Sequence, residues 1–205
     1  MICIVDYGVG NIQAFLNLFN RLGIKAQRAS TKKTLTEASH LVLPGVGHFD
    51  HAMEKLNNSG LREPLENLVI GSNIPILGIC VGMQMLAKNS EEGVLSGLGW
   101  VSGKVRAFSK NPKSSKLSLP HMGWNTLDLK KSDLLSTQDM DKLSQFYFLH
   151  SYYFDADDKS IVSATSNYGF NFDAVISQKH IHGVQFHPEK SHKWGQDLLI
   201  NFSNF

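Results

Sequence analysis

Cysteine is nearly absent from this chain. Its 205 residues hold only Cys3 and Cys80, which excludes the paired framework of a small disulfide-stapled secreted domain. No apolar run is long enough to cross a bilayer and the N-terminus has no signal-like segment, so a reducing cytoplasm is the expected compartment. Charge of one sign is missing too: the formal net charge is +2, and Lys32-Lys33 and Lys130-Lys131 are the only adjacent basic pairs. That argues against a nucleic-acid surface. There is no linker, internal repeat or low-complexity tract, and the length suits one domain over residues 1–205 with a substantial core. Histidine is plentiful, at nine. His180, His182, His187 and His192 cluster, but without zinc-type spacing or paired cysteines, so neither metal nor cofactor is expected.

What is present is an alternating pattern. Apolar runs at Ile2 to Val5, Ala38 to Leu43 and Ile74 to Ile79 predict strands, and the 3.6-residue periodicity of Ile12 to Leu22, Phe49 to Leu56 and Leu61 to Ile70 predicts helices between them. Such alternation builds a mostly parallel sheet covered by helices. The second half differs, with short strand-like runs at Gly99 to Phe108, Phe146 to Phe154, Ile161 to Ser166, Ala174 to Ser177 and Ile181 to Phe186, and a closing helical pattern at Gly195 to Phe202. The fold expected is α/β, a single-domain sandwich whose central, mostly parallel sheet gains an antiparallel portion in the second half. Ser109 to Lys116, polar and without apolar period, is the best candidate for a mobile loop. Asp155 to Lys159 reads as a solvated turn.

Gly78-Ile79-Cys80-Val81-Gly82 falls where the strand ending at Ile79 meets a helical stretch from Met83 to Ala87. Glycines flanking a strand-to-helix turn let strand and helix pass closely and leave a strained nucleophile exposed. A helix start also favours the thiolate, the form that attacks. An isolated cysteine is more often a small buried hydrophobe, the reading given to Cys3. Here the run from Ile181 to Phe186 ends in His187-Pro188-Glu189, a base that could take the thiol proton and a carboxylate that could orient the imidazole.

These segments, together with Asp6 to Asn11, Leu43 to Gly47, Gly78 to Gln84, Pro120 to Asn125, His150 to Tyr152 and Gln185 to Ser191, resemble the class I (triad) glutamine amidotransferases over nearly the whole length. Within that class the chain resembles the glutaminase subunits of imidazole glycerol phosphate synthase. The resemblance implies that Cys80 attacks the side-chain amide of glutamine, that ammonia leaves and that water hydrolyses a γ-glutamyl thioester, with His187 as base then acid and Glu189 as its orienter. It implies oxyanion donors at Val81 and in the loop Gly45, Val46 and Gly47, where both glycines could let a peptide plane rotate. It further implies glutamine contacts from Gln84, Glu92, His150, Ser151 and Tyr152, with Glu91 an alternative to Glu92. Asn11, the loop His121, Met122, Gly123 and Trp124 with Asn125, and Lys190 correspond to positions that face a synthase subunit, a cyclase with a (β/α)8 barrel. The expected assembly is a heterodimer in histidine biosynthesis, and an exposed Trp124 would anchor it.

Some residues depart from that pattern. Asn11-Ile12-Gln13-Ala14, His48-Phe49-Asp50-His51 and Val81 resemble paralogues that feed ammonia to a sugar amidotransferase in surface-polysaccharide synthesis. Remoter alternatives are a cysteine peptidase or esterase, which would not account for Gln84 and the Pro44 to Gly47 loop together, and a non-catalytic binding module, which would not need Cys80, His187 and Glu189 all intact.

Overall fold

The computed structural model describes residues 1–114, 116–132, 134–135 and 144–205. Its first half alternates strands and helices: β1 (Ile2–Val5), α1 (Ile12–Arg21), β2 (Ala26–Ala29), α2 (Lys32–Leu35), β3 (His40–Gly45), α3 (Phe49–Asn58), α4 (Arg62–Glu66), β4 (Ile76–Cys80) and α5 (Val81–Met85), with β2 and α2 beyond the elements predicted. The second half is strand-rich, with β5 (Asn89–Ser90), β6 (Gly103–Ala107), β7 (His121–Asn125), β8 (Asp128–Leu129), β9 (Phe146–His150), β10 (Tyr152–Ala156), β11 (Val162–Asn167), β12 (Asn171–Gln178) and β13 (Ile181–Val184) before α6 (His192–Phe202).

The larger sheet runs β2-β1-β3-β4-β13-β12-β10-β6-β5, with β11 and β8 branching from β12. From β2 to β13 the neighbours are parallel, and β12, β10 and β6 continue it antiparallel. β1, β3 and β4 are buried on both faces, as their continuous apolar runs require, apart from His40 at the start of β3. Helices cover this parallel half; α1 buries Ile12, Phe15, Leu18 and Phe19, and α3 buries Phe49, Ala52, Met53 and Leu56. The fold is thus the expected α/β sandwich with an antiparallel extension.

Several local expectations are corrected. Residues 121–125 form a strand, β7, that pairs with β9 in a separate two-stranded sheet; Gly123 and the polar ends of the segment mask its alternation of buried and exposed side chains. The single run Phe146 to Phe154 is two strands, because the chain turns at Ser151 and passes from the small sheet to the large one. Leu61 to Ile70 is α4 followed by a π-helical turn at Asn67–Gly71. β2 and α2 were not expected, since a polar edge strand such as Ala26-Gln27-Arg28-Ala29 has little hydrophobic signature. The Ser109 to Lys116 segment contains parts of two 3-10 turns, Phe108–Lys110 and Pro112–Ser114; Ser115 lies outside the described residues. Within Asp155 to Lys159, Asp155 belongs to β10, and Lys159 bridges Asp155 and the buried Asp173.

Candidate active site

The carboxyl ends of β3, β4 and β13 lie side by side, with Gly45 in register with Cys80. A ligand in an open α/β sheet is expected at such strand ends. Cys80 takes φ +55° and ψ −113°, a backbone state rare for a residue with a Cβ. The two flanking glycines make that turn possible by packing, as a Cβ at Gly78 would stand 2.7 Å from the Gly82 carbonyl oxygen and one at Gly82 only 1.9 Å from that of Leu43. α5 starts immediately at Val81 and is five residues long, so its macrodipole is weak.

His187 follows β13 and is buried. Its Nδ1 is 2.8 Å from Glu189 Oε1, and the ring lines the same cavity as Cys80. Burial works against the imidazolium, but the hydrogen bonds to Cys80 and Glu189 and their charges outweigh it, pushing the His187 pKa up to about 10. The loop is fastened by its backbone: His187 N–H donates to the Tyr147 carbonyl at 2.9 Å, and Ser191 Oγ donates to the His187 carbonyl at 2.6 Å while accepting from Tyr147 N–H at 3.0 Å.

A cavity of about 340 Å³ opens over the sulfur, and Val46, Gly47, Val81, Gln84, Glu92, His150, Ser151, Tyr152, His187 and Lys190 all border it. Gly45 does not. A Cβ there would stand 2.4 Å from Gly82 N, whereas Gly47 has φ +81° and open space around it. Gly45 is thus packed where no Cβ would fit, while Gly47 takes a left-handed conformation on the cavity wall.

The choice between adjacent carboxylates also resolves geometrically. Glu92 accepts from Phe49 N–H at 2.8 Å, faces the cavity, and has its pKa raised by burial. Glu91 points the other way, to Ala107 N–H at 2.8 Å and toward Arg106 and Lys110; the Ala107 bond leads in lowering its pKa. Asp50, whose oxygens accept from Val94 and Leu95 N–H, holds the loop that carries Glu92.

Two supports escaped the sequence reading. Gln185, completely buried, donates from Nε2 to Cys80 Sγ at 3.7 Å and accepts from Gln84 Nε2 at 3.0 Å, and Gln84 Nε2 also donates to the Tyr152 carbonyl at 3.1 Å. Tyr7 donates to the Pro44 carbonyl at 2.7 Å, bracing the loop before Val46. Both residues lie within the motifs read from the sequence, but neither type is distinctive without its partner.

Trp124 is 43% exposed, stacked on His192 with centroids 5.0 Å apart and edge-on to Tyr147. Met122 is 66% exposed, and the Lys190 Nζ lies 5.5 Å from the centre of the Tyr147 ring. Asn11 is exposed and caps α1, its Oδ1 accepting from Ala14 N–H at 3.1 Å. His121 is different. It is 3% exposed and cannot offer a surface, because the pleat that exposes Met122 and Trp124 turns it inward.

A strained cysteine at a strand-to-helix turn, backed by a His–Glu pair and opening on a pocket, defines a cysteine-dependent acyl-transfer centre. Residues 3–204 match the family Glutamine amidotransferase class-I, and the chain belongs to it. The structure is similar to a crystal structure of a glutamine amidotransferase at TM-score 0.75 and 19% identity, covering 99% of this chain and 97% of the other, a likeness of fold. Full-length sequence similarity goes further. The imidazole glycerol phosphate synthase subunit HisH of Bdellovibrio bacteriovorus is 52% identical with 99% of each chain covered, and that of Leptospira borgpetersenii 46% identical with 100% of each covered. This chain belongs to the HisH family. Among the described residues no helix is long and apolar enough to cross a membrane.

Proposed function

We propose that this chain is the glutaminase subunit of an imidazole glycerol phosphate synthase, hydrolysing glutamine to glutamate and ammonia and passing the ammonia to a cyclase subunit with a (β/α)8 barrel. The observation that carries the reading is the Cys80–His187–Glu189 arrangement at the floor of a cavity bordered by Glu92 and Tyr152. The thiolate of Cys80 attacks the amide carbon, and the proton held on His187 goes to the departing ammonia. His187 then takes a proton from the water that cleaves the thioester, and Glu189 holds the imidazole throughout. Donors at Val81 and in the Val46–Gly47 loop would stabilise the oxygen that develops charge, each worth about 2.7–4 kcal/mol when well aimed. Glu92 is a buried-edge carboxylate suited to the substrate's ammonium group. His150, Ser151 and Tyr152 frame the other end.

Free ammonia is protonated and lost in neutral water, so production must be coupled to a docked acceptor. The exposed Met122 and Trp124, together with Lys190 on the cavity wall, form the surface for that docking, in a cytoplasmic heterodimer. The relatives bear the synthase name over their full length, which favours a histidine-pathway acceptor over a sugar acceptor. Truncating a hot-spot tryptophan typically costs at least about 2 kcal/mol, or roughly thirtyfold in affinity. Trp124→Ala should therefore weaken binding to the cyclase by that order in calorimetry, and Lys190→Ala should raise the ratio of glutamate to product. Binding of a sugar amidotransferase but not the cyclase would move the assignment to the polysaccharide pathway.

The pH profile follows from His187. Since its pKa is raised from 6.5 to about 10, the His187 imidazole keeps its proton through neutral pH and loses it only near the upper value. The pairing's contribution to stability is complete below about 6.5, declines as pH rises, and is gone above about 10. For glutamine hydrolysis by the complex, kcat/KM should hold from pH 7 to 9 and fall along a basic limb near 10. A basic limb near 7 contradicts the paired state.

A further inference from the structure

The two buried histidines His121 and His150 are joined to each other, and their partners at both ends have fixed polarity. At the outer end, Asn125 Oδ1 accepts from Thr126 N–H at 2.8 Å and its Nδ2 donates to the Asn167 carbonyl at 2.8 Å. That fixes the amide's orientation, so the remaining Nδ2 hydrogen points at His121 Nε2, 3.2 Å away, which must be the unprotonated nitrogen. At the inner end, His150 Nδ1 is 2.7 Å from the Tyr152 carbonyl oxygen, which can only accept. His150 therefore carries its proton on Nδ1 and offers a lone pair at Nε2. The 3.0 Å contact between His121 Nδ1 and His150 Nε2 then has one possible direction, from His121 to His150. Both ends independently require the same tautomer of His121.

We propose that His121 and Asn125 are positioning residues for the glutamine site, through a one-directional hydrogen-bond chain from Asn125 through His121 and His150 to the Tyr152 carbonyl. That carbonyl also accepts from Gln84 Nε2, and Gln84 in turn contacts Gln185, whose amide reaches Cys80 Sγ. The chain thus fixes the turn at Ser151 between β9 and β10, which borders the cavity, and ties it to the nucleophile. Burial keeps both rings neutral, with His121 lowered to about 4 and His150 to about 3, so the tautomers persist across the working pH range. His121 is also stacked between Phe148 and Tyr168, with centroid distances of 4.9 and 4.1 Å. The ring's packing and its hydrogen bonds can therefore be separated by substitution.

The kinetic arm rests on the glutaminase reading, and the spectroscopic arm does not. In the wild-type chain, imidazole nitrogen chemical shifts between pH 6 and 8 should show both histidines protonated on Nδ1 and unprotonated on Nε2; protonation of either on Nε2 overturns the chain's direction. In the complex with the cyclase, His121→Phe keeps the stack and removes the hydrogen bonds, and should raise KM for glutamine about fivefold with kcat within about twofold, the weight of a neutral buried hydrogen bond. His121→Asn, whose amide can donate to His150, should recover most of that loss, which a purely packing role would not. Asn125→Asp replaces the donor with an acceptor, so it should shift the His121 proton to Nε2 and raise KM similarly. An unchanged KM in His121→Phe, or in Asn125→Asp should the first variant not fold, overturns the positioning role. Failure of the wild type to hydrolyse glutamine with any partner would remove the proposed function while leaving the nitrogen shifts to decide the chain.

Discussion

Cys80→Ala should abolish glutamine-dependent synthesis by the complex, by at least about 10⁴-fold given what removing a nucleophile costs in comparable hydrolases, and leave ammonia-dependent synthesis within about twofold. The asymmetry follows from geometry. The sulfur lines the cavity with Gln185 directed at it and His187 on the same wall, and the other cysteine, Cys3, is buried in β1 and cannot replace it. On the proposed function the acceptor chemistry belongs to the partner subunit and does not see the change. The substitution also relieves no packing constraint, because alanine keeps the Cβ and the strained φ. Folding should therefore be preserved. Both rates are measured on one preparation, with glutamine and with saturating ammonium salt. Loss of both would place the cysteine in the scaffold and not in the chemistry.

Gly82→Ala should be severely damaging. Its Cβ would lie 1.9 Å from the Leu43 carbonyl oxygen, a backbone atom of β3 that cannot swing aside. Accommodating it means moving α5 away from β3, and with it the elbow that carries Cys80. Overpacking a well-filled core typically costs about 1–3 kcal/mol, and a contact this short with backbone belongs at the upper end. For a domain of this size that is a fall in Tm of roughly 6–12 °C. Gly47→Ala is the comparison. It meets no atom within 4 Å, and its φ of +81° costs about 1 kcal/mol for a residue with a Cβ. Its Tm should fall by roughly 2–4 °C, while glutamine hydrolysis in the complex falls further than that small destabilisation explains, because the freedom of the Val46–Gly47 peptide is lost. Equal thermal shifts in the two variants would refute this division between packing and mobility.

The parallel half of the fold was legible because its strands are buried on both faces and announce themselves as continuous apolar runs, and because α1 and α3 repeat at 3.6 residues. The elbow was legible for a chemical reason: a cysteine at a strand end with glycine on both sides is what a tight turn around an exposed nucleophile needs, and each glycine does stand where a Cβ would strike backbone. Less was readable where identity depends on a partner distant in sequence. β7 looked like a loop because Gly123 and the flanking polar residues hide a two-residue alternation that only pairing with β9 reveals. Its motif groups His121 with exposed neighbours, although the same alternation turns it inward. Gln185 looks like an ordinary polar residue in an apolar run until β13 brings it beside Cys80. Gly45 and Gly47 are identical as letters, and only the proximity of Gly82 separates the closely packed one from the one in open space.

The most direct test of the central claim is covalent capture. A glutamine analogue with an electrophilic diazoketone in place of the amide is incubated with the complex, and the modified chain is digested and mapped by mass spectrometry. The account predicts one equivalent bound, on Cys80, with glutamine-dependent activity lost in proportion to labelling, ammonia-dependent activity retained, and glutamine protecting against both labelling and inactivation. Full modification of Cys80 with glutamine-dependent activity intact, or inactivation through a different residue, would contradict it.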